Sequence, residues 1–146
     1  MTLQEFFDKT YIHFSQPGAE LSKQPDETCL YRMDTRADHP VRCAIGVHIP
    51  DEKYDPAMES WPVDGEGDGW SIQHILDHCG LSIELTEEQV KLVAKDNSSY
   101  HAESAPVEWA LCRFQAQHDT AESVEECLSN MREFAVKYGL TIPKVV

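Results

Sequence analysis

An α+β protein is predicted from this sequence, mostly helical, with about five helices packed on one antiparallel β-hairpin. Apolar residues recur at helical spacing in five segments, and two short runs of strand-forming residues flank a polar, turn-like stretch. The chain has 146 residues, which matches one ordinary domain. We therefore expect a single α+β domain over residues 1–146.

The first predicted helix begins after Thr2, which has capping-box spacing to Glu5. Pro17 and Gly18 end the helical pattern, and a polar connecting loop follows. One face of this helix should be buried. Its apolar positions are Leu3, Phe6, Phe7, Tyr11 and Phe14.

The β-hairpin is predicted from residues 28–33 and 41–49. With Cys29 opposite Cys43, side-chain alternation gives one apolar face and one more polar face that has open space at Gly46. Because a two-stranded hairpin is marginal alone, helices must cover the apolar face. The apolar face would hold Cys29, Tyr31, Met33, Cys43, Ile45, Val47 and Ile49, and the other face Leu30, Arg32, Arg42, Ala44, Gly46 and His48.

Two helices are predicted in the middle of the chain. The first covers residues 70–78 and ends at Gly80, a residue that favours the left-handed conformation of a helix C-cap. The second begins with Thr86 and Gln89, which again have capping-box spacing. Their buried faces would hold Ile72, Ile75, Leu76 and Cys79 in the first, and Val90, Val93 and Ala94 in the second.

Two more helices are predicted towards the carboxyl end. Pro106 suits the first turn of one of them. The last helix is expected to begin with Asp119 and Glu122 and to end at Gly139. The aligned apolar residues are Val107, Ala110, Leu111 and Phe114, followed by Val124, Cys127, Leu128, Met131, Phe134, Ala135 and Tyr138.

Acidic residues outnumber Lys and Arg by 26 to 12, which gives a formal net charge of -14. Such a charge repels nucleic acid and anionic membranes, so direct binding to either is not expected. No apolar run approaches the ~18 residues of a membrane span, and the five cysteines include no C-x-x-C pair. We expect a protein of the reducing cytosol that is neither secreted nor membrane-spanning.

The stretch from Tyr54 to Val90 contains nine acidic residues and no Lys or Arg. A dense negative patch attracts a basic groove on a partner and can imitate nucleic acid, while Trp61 and Trp70 are candidate apolar anchors. A protein-binding surface is therefore predicted. Its residues would be Asp51, Glu52, Tyr54, Asp55, Glu59, Trp61, Asp64, Glu66, Asp68 and Trp70.

Two patterns are similar to metal sites. Residues 64–69 imitate the start of a calcium loop, but position twelve, where a bidentate glutamate belongs, is Ile75. His74 and His78 lie four residues apart, as zinc-ligating pairs do, yet their spacing from Cys29, Cys43, His48 or His101 matches no common zinc pattern. A solvated loop and partly exposed histidines are favoured, so no metal or other cofactor is predicted.

No catalytic motif is present in the sequence: it has no nucleophile elbow, P-loop or dinucleotide fingerprint. Four of the five cysteines fall on predicted apolar faces, where a thiol packs as a small hydrophobe. These are Cys29, Cys43, Cys79 and Cys127. We therefore predict a protein that is not an enzyme.

Arginines cluster at only one place, in the predicted hairpin, where Arg32, Arg36 and Arg42 occur. Such a cluster binds an anion or pairs with nearby acids, here Asp34 and Asp51. Pairing is favoured because exposed ion pairs of this kind are routine. Anion binding stays open as the alternative.

Two segments carry a distinctive pattern. Residues 29–32 and 42–59 read C-L-Y-R and R-C-A-I-G-V-H-I-P-D-E-K-Y-D-P-A-M-E, and residues 114–119 read F-Q-A-Q-H-D. Both resemble a family of small proteins from bacteriophage and prophage genomes, whose later element is Leu-Gln-x-x-His-Asp. The resemblance implies a shared hairpin-and-helix fold and a phage setting, and it assigns no reaction and no site residue.

These observations favour a non-catalytic phage accessory protein in the host cytosol. It would bind and inhibit a host protein, such as a defence or nucleic-acid-handling enzyme, through its acidic surface. The first alternative is sequestration of a small anionic ligand of the nucleotide type by the hairpin arginines. The second is a metal-dependent hydrolase that uses His74 and His78. The oligomeric state is left open.

Overall fold

A computed structural model describes residues 1–23, 30–33, 41–59, 72–96 and 105–145. These residues form five α-helices and one two-stranded antiparallel sheet, which confirms the predicted mostly helical α+β fold. None of the described helices has the length and apolar character needed to cross a membrane. In chain order the elements are α1 (Leu3–Ser15), β1 (Arg32–Met33), β2 (Val41–Arg42), α2 (Ile72–Cys79), α3 (Glu87–Asp96), α4 (Pro106–Asp119) and α5 (Val124–Lys137).

Helix α1 begins with the predicted capping box. The Thr2 hydroxyl accepts from the Glu5 N–H at 3.1 Å, and the Glu5 carboxylate accepts from the Thr2 N–H at 2.7 Å. The bond from the Thr2 backbone lowers the pKa of Glu5, because it favours the charged carboxylate. The buried face of α1 matches the predicted one: Leu3, Phe6, Phe7, Tyr11 and Phe14 are all buried.

The hairpin register differs from the expected one. Arg32 pairs with Arg42, so the strands align Tyr31, rather than Cys29, with Cys43. The expected pairing was wrong by two residues. A shift of two leaves every side chain on its original face, so apolar alternation cannot distinguish the two registers.

The second strand is also much shorter than predicted. It ends at Arg42, and the chain then turns into a 3-10 helix, Gly46–His48. Residues 43–46, 48 and 49 are all buried, so the predicted alternation of faces is wrong beyond Arg42. The expected open space at Gly46 is wrong as well, since a Cβ there would overlap the Tyr31 carbonyl oxygen. Only glycine permits this close backbone approach.

Helices α2 and α3 have the predicted ends. Gly80 has a φ of 68°, and the Leu81 N–H reaches back to the Leu76 carbonyl at 2.8 Å, which is a Schellman cap. Thr86 and Gln89 form the capping box at the start of α3. Val90, expected on the buried face of α3, is instead 40% exposed.

Helix α4 starts at Pro106 as predicted, but the start of α5 was misplaced. Asp119 is the last residue of α4, and Ser123 caps α5 by accepting from the Glu126 N–H at 3.1 Å. Asp119 and Glu122 therefore imitate a capping box without forming one. Gly139 ends α5 as expected, with a φ of 66°.

The core is a cluster of apolar side chains around α4. Helix α4 packs against α2, α3 and α5, and α1 packs against α5 and the 3-10 helix Gly46–His48. The Phe114 ring lies 5.0 Å from Phe134 and 5.8 Å from both Phe6 and Phe7, measured between ring centroids. These are favourable separations for aromatic pairs. Residues 43–49 thus lie against the centre of the fold.

Candidate functional site

Half of the predicted binding residues lie on residues 51–59, here called the acidic edge. This edge consists of two short 3-10 helices, Asp51–Lys53 and Pro56–Glu59. It carries Asp51, Glu52, Tyr54, Asp55 and Glu59. The other predicted binding residues, Trp61, Asp64, Glu66, Asp68 and Trp70, lie outside the described residues, as does the sequence that imitates a calcium loop.

Arg32 fixes the acidic edge to the hairpin. One Nη atom lies 3.0 Å from the Asp51 carboxylate, and the other donates to the Ile49 carbonyl at 3.2 Å. The guanidinium also stacks over the Tyr54 ring, 4.2 Å from its centroid. Because the Arg32 side chain is only 8% exposed, these contacts compensate for the water that it loses.

Arg42 lies on the other side of the same carboxylate, 3.6 Å from Asp51. The prediction that the hairpin arginines pair with Asp51 is therefore confirmed for Arg32 and Arg42. Arg36 and Asp34 lie outside the described residues. Asp51 is 83% exposed, so water screens both ion pairs and limits what each contributes to stability.

Glu59 points inward rather than along the surface. Its Oε1 atom accepts from the Tyr31 N–H at 2.7 Å. Burial raises the pKa of Glu59, against the opposing effects of the Tyr31 and Arg32 backbone N–H groups and the Arg32 charge. Glu59 thus holds the edge against the hairpin, and Glu52 and Asp55 supply its outward charge.

The acidic edge continues onto α2. The His78 ring nitrogen Nε2 lies 2.9 Å from the Lys53 carbonyl oxygen, which places the end of α2 beside the first turn of the edge. Asp77, next to His78, is exposed. Further exposed acids follow along the chain at Glu84, Glu87 and Glu88, of which Glu88 faces Lys91 at 3.9 Å.

The candidate zinc ligands are dispersed where the structure describes them. His74 and His78 are exposed, whereas His48 is buried in a stack on the Phe6 ring, with centroids 3.6 Å apart. Burial lowers the pKa of His48 to about 3, so its ring is neutral. Among the described residues, no group of three or more His, Cys, Asp or Glu could hold a metal ion.

The cysteines described here are not activated nucleophiles. Cys43 and Cys127 are buried as predicted, and burial raises the pKa of each thiol, in Cys127 to about 12. Cys79 is partly exposed and Cys112 is exposed, with pKa values that burial also raises. Cys29 lies outside the described residues.

Residue-by-residue reasoning missed a hydrogen-bonded group formed by Ser22, Gln115, His118 and Asp119, here called the His118 relay. The Gln115 side chain accepts from the Ile45 N–H at 2.9 Å and donates to Asp119 at 2.7 Å. The relay therefore joins the two segments that carry the phage resemblance. The only sequence signal for it is the Q-x-x-H-D spacing of residues 115–119.

No protein-family model, curated protein or solved structure matches this chain. The phage family remains a prediction from the resemblance, and the functional argument depends on the residues described above.

Proposed function

We propose that this chain is a non-catalytic accessory protein of phage origin that binds a host protein through its acidic surface. The partner would present a basic groove, as defence and nucleic-acid-handling enzymes do, and occupation of that groove would inhibit it. The protein would act in the host cytosol. The supporting observation is an asymmetry in how the molecule uses its positive and negative groups.

Several cationic and titratable groups are used internally. Arg32 and Arg42 both face Asp51, while His48 and His118 are buried. By contrast, the exposed carboxylates of Glu52, Asp77, Glu84 and Glu87 form no ion pair with another residue in the described part of the chain. The surface presented to a partner is therefore strongly negative, which favours fast and salt-sensitive association with a basic protein.

The two alternatives have less support. An anion at the hairpin would have to displace Asp51 from Arg32 and Arg42, at distances of 3.0 and 3.6 Å. A metal-dependent hydrolase would need ligands in addition to His74 and His78, and no observation on the described residues favours it.

The test is affinity capture of the tagged chain from host lysate at about 50 and about 500 mM salt, because high salt screens exposed charges. We expect one dominant host protein that is retained at low salt and lost at high salt. Purified, that protein should lose activity when the chain is added. Retention that ignores salt, or a captured protein whose activity is unaffected, would contradict the proposal.

Charge-reversal variants locate the surface. Glu52→Lys with Asp77→Lys changes the acidic edge and the adjoining end of α2, whereas Glu122→Lys with Glu125→Lys makes the same charge change at α5. Reversal of Asp64, Glu66 and Asp68 tests the sequence-predicted loop. Capture should fail with the first or third variant and persist with the second. Equal loss with all three would indicate a response to net charge alone.

A further inference from the structure

His118 lies at the end of α4 with 0% of its surface exposed, and both of its ring nitrogens have partners. The Ser22 backbone N–H donates to Nε2 at 3.0 Å, and Nδ1 lies 2.9 Å from an Asp119 carboxylate oxygen. A backbone N–H can only donate, so Nε2 must be the acceptor. The ring is therefore neutral, with its hydrogen on Nδ1 and directed at Asp119.

A second proton on this ring would conflict with Ser22. Protonated histidine donates from both nitrogens, so Nε2–H would face the Ser22 N–H, and one buried donor would lose its acceptor. The contact with Asp119 would survive and strengthen, because it would then join a cation to a carboxylate. Proton uptake and the Ser22 bond therefore exclude each other.

Ser22 itself provides an alternative partner for the protonated ring. Its hydroxyl oxygen is buried and has no hydrogen-bond partner. A hydroxyl can accept where the backbone N–H cannot. A local rearrangement at residue 22 could thus exchange the N–H donor for the hydroxyl acceptor and stabilise the charged ring.

The charged and titratable groups around His118 come from four elements. Asp119 on α4 favours protonation. Lys23 opposes it through its positive charge and also donates to the Ala121 carbonyl. His13 on α1 repels the ring when charged, although burial lowers the pKa of His13. Cys127 on α5 stays neutral because burial raises its thiol pKa to about 12.

We propose that the bond between Ser22 and His118 is a pH-sensitive latch. A proton from solvent binds His118 Nε2, breaks the Ser22 N–H bond and frees the backbone at residue 22 from the end of α4. The effect reaches the hairpin, because the Ser22 carbonyl accepts from the Leu30 N–H at 3.0 Å. Leu30 precedes Tyr31, whose N–H binds Glu59. The latch operates whether or not the acidic surface binds a host protein.

The experiment measures the His118 tautomer and the Ser22 amide exchange rate in the full chain by NMR, from about pH 7.5 to about pH 5. At the upper end we expect the Nδ1–H tautomer. Once His118 begins to protonate, the open-to-latched ratio at Ser22, corrected for intrinsic exchange, should rise about tenfold per pH unit, because one proton drives opening. The Leu111 amide in the core of α4 should keep its protection throughout.

Matched variants assign the proton. Asp119→Asn keeps an acceptor for Nδ1–H but removes the negative charge, so the transition should move to lower pH. His74→Gln removes an exposed histidine and should leave the transition unchanged. The proposal is overturned by an Nε2–H tautomer, by Ser22 exchange that does not follow pH, or by Ser22 and Leu111 losing protection together, which would indicate global unfolding.

Discussion

The acidic edge and the His118 relay are both built from polar side chains, but their exposure to water is opposite. Asp51 on the edge is 83% exposed, whereas His118 in the relay is 0% exposed. Water screens the edge ion pairs and can replace them when they break. Water cannot replace the relay bonds without opening the fold. The edge is therefore suited to present charge, and the relay to hold segments together.

The largest expected effect is at the relay. His118→Ala leaves the Ser22 N–H unpaired and creates a cavity, so the free energy of unfolding should fall by roughly 2–5 kcal/mol. His74→Ala, at an exposed histidine, should change it by less than about 0.5 kcal/mol. Urea unfolding of both variants measures the difference. Similar losses would remove the distinction between buried and exposed histidines.

A second buried histidine sharpens the contrast through pH. The pKa of His48 is about 3 in the folded protein, against an ordinary value of 6.5, so the unfolded chain binds the proton first as the pH falls. Stability is fully present above about pH 6.5 and should drop by about 1.4 kcal/mol per pH unit below it, until about pH 3.

The measurement is urea unfolding at about pH 7 and about pH 4.5, where the loss from this one group is about 2.7 kcal/mol. His48→Leu removes the titrating group, so its stability should fall less than that of the unchanged protein over the same interval. Parallel pH profiles for the two proteins would show that His48 is not the source of the loss.

The two hairpin arginines should differ despite sharing one acid. Arg32→Met leaves the Ile49 carbonyl without its donor and removes the stack on Tyr54, so we expect a loss of roughly 1–3 kcal/mol. Arg42→Met removes a longer and more exposed pair, and should cost less than about 1 kcal/mol. Thermal or urea unfolding decides, and a larger loss at Arg42 would contradict the burial argument.

The smallest effect is expected at the exposed acid. Asp51→Asn should lower stability by less than about 1 kcal/mol, and the difference should shrink further in about 1 M salt. Unfolding measured at low and high salt provides the comparison. A large loss that persists at high salt would place Asp51 in the buried class with His118.

Sequence reasoning predicted the helices best, because helix signals are local. The capping boxes at Thr2 and Thr86 and the glycines at positions 80 and 139 each depend on residues only a few positions apart. The misplaced start of α5 shows the limit of such signals. Asp119 and Glu122 have suitable spacing, but Asp119 is already part of α4 and of the His118 relay.

The hairpin and the candidate site depended on contacts that the local pattern does not contain. The register is compatible with alternation in two ways, and the close approach of Gly46 to the Tyr31 carbonyl belongs to only one. The pairing of arginines with Asp51 was predictable from charge alone. The inward turn of Glu59 was not, and neither was the bond between Ser22 and His118, which are 96 residues apart.

The proposed division between outward acids and inward polar groups is tested most directly by the salt dependence of the Kd for the captured host protein. For the unchanged chain, the Kd should rise steeply with salt. Glu52→Lys with Asp77→Lys should weaken binding by about tenfold or more at low salt and flatten the salt dependence, while Glu122→Lys with Glu125→Lys should change neither. A Kd that is indifferent to salt, or that responds equally to both double variants, would contradict the proposal.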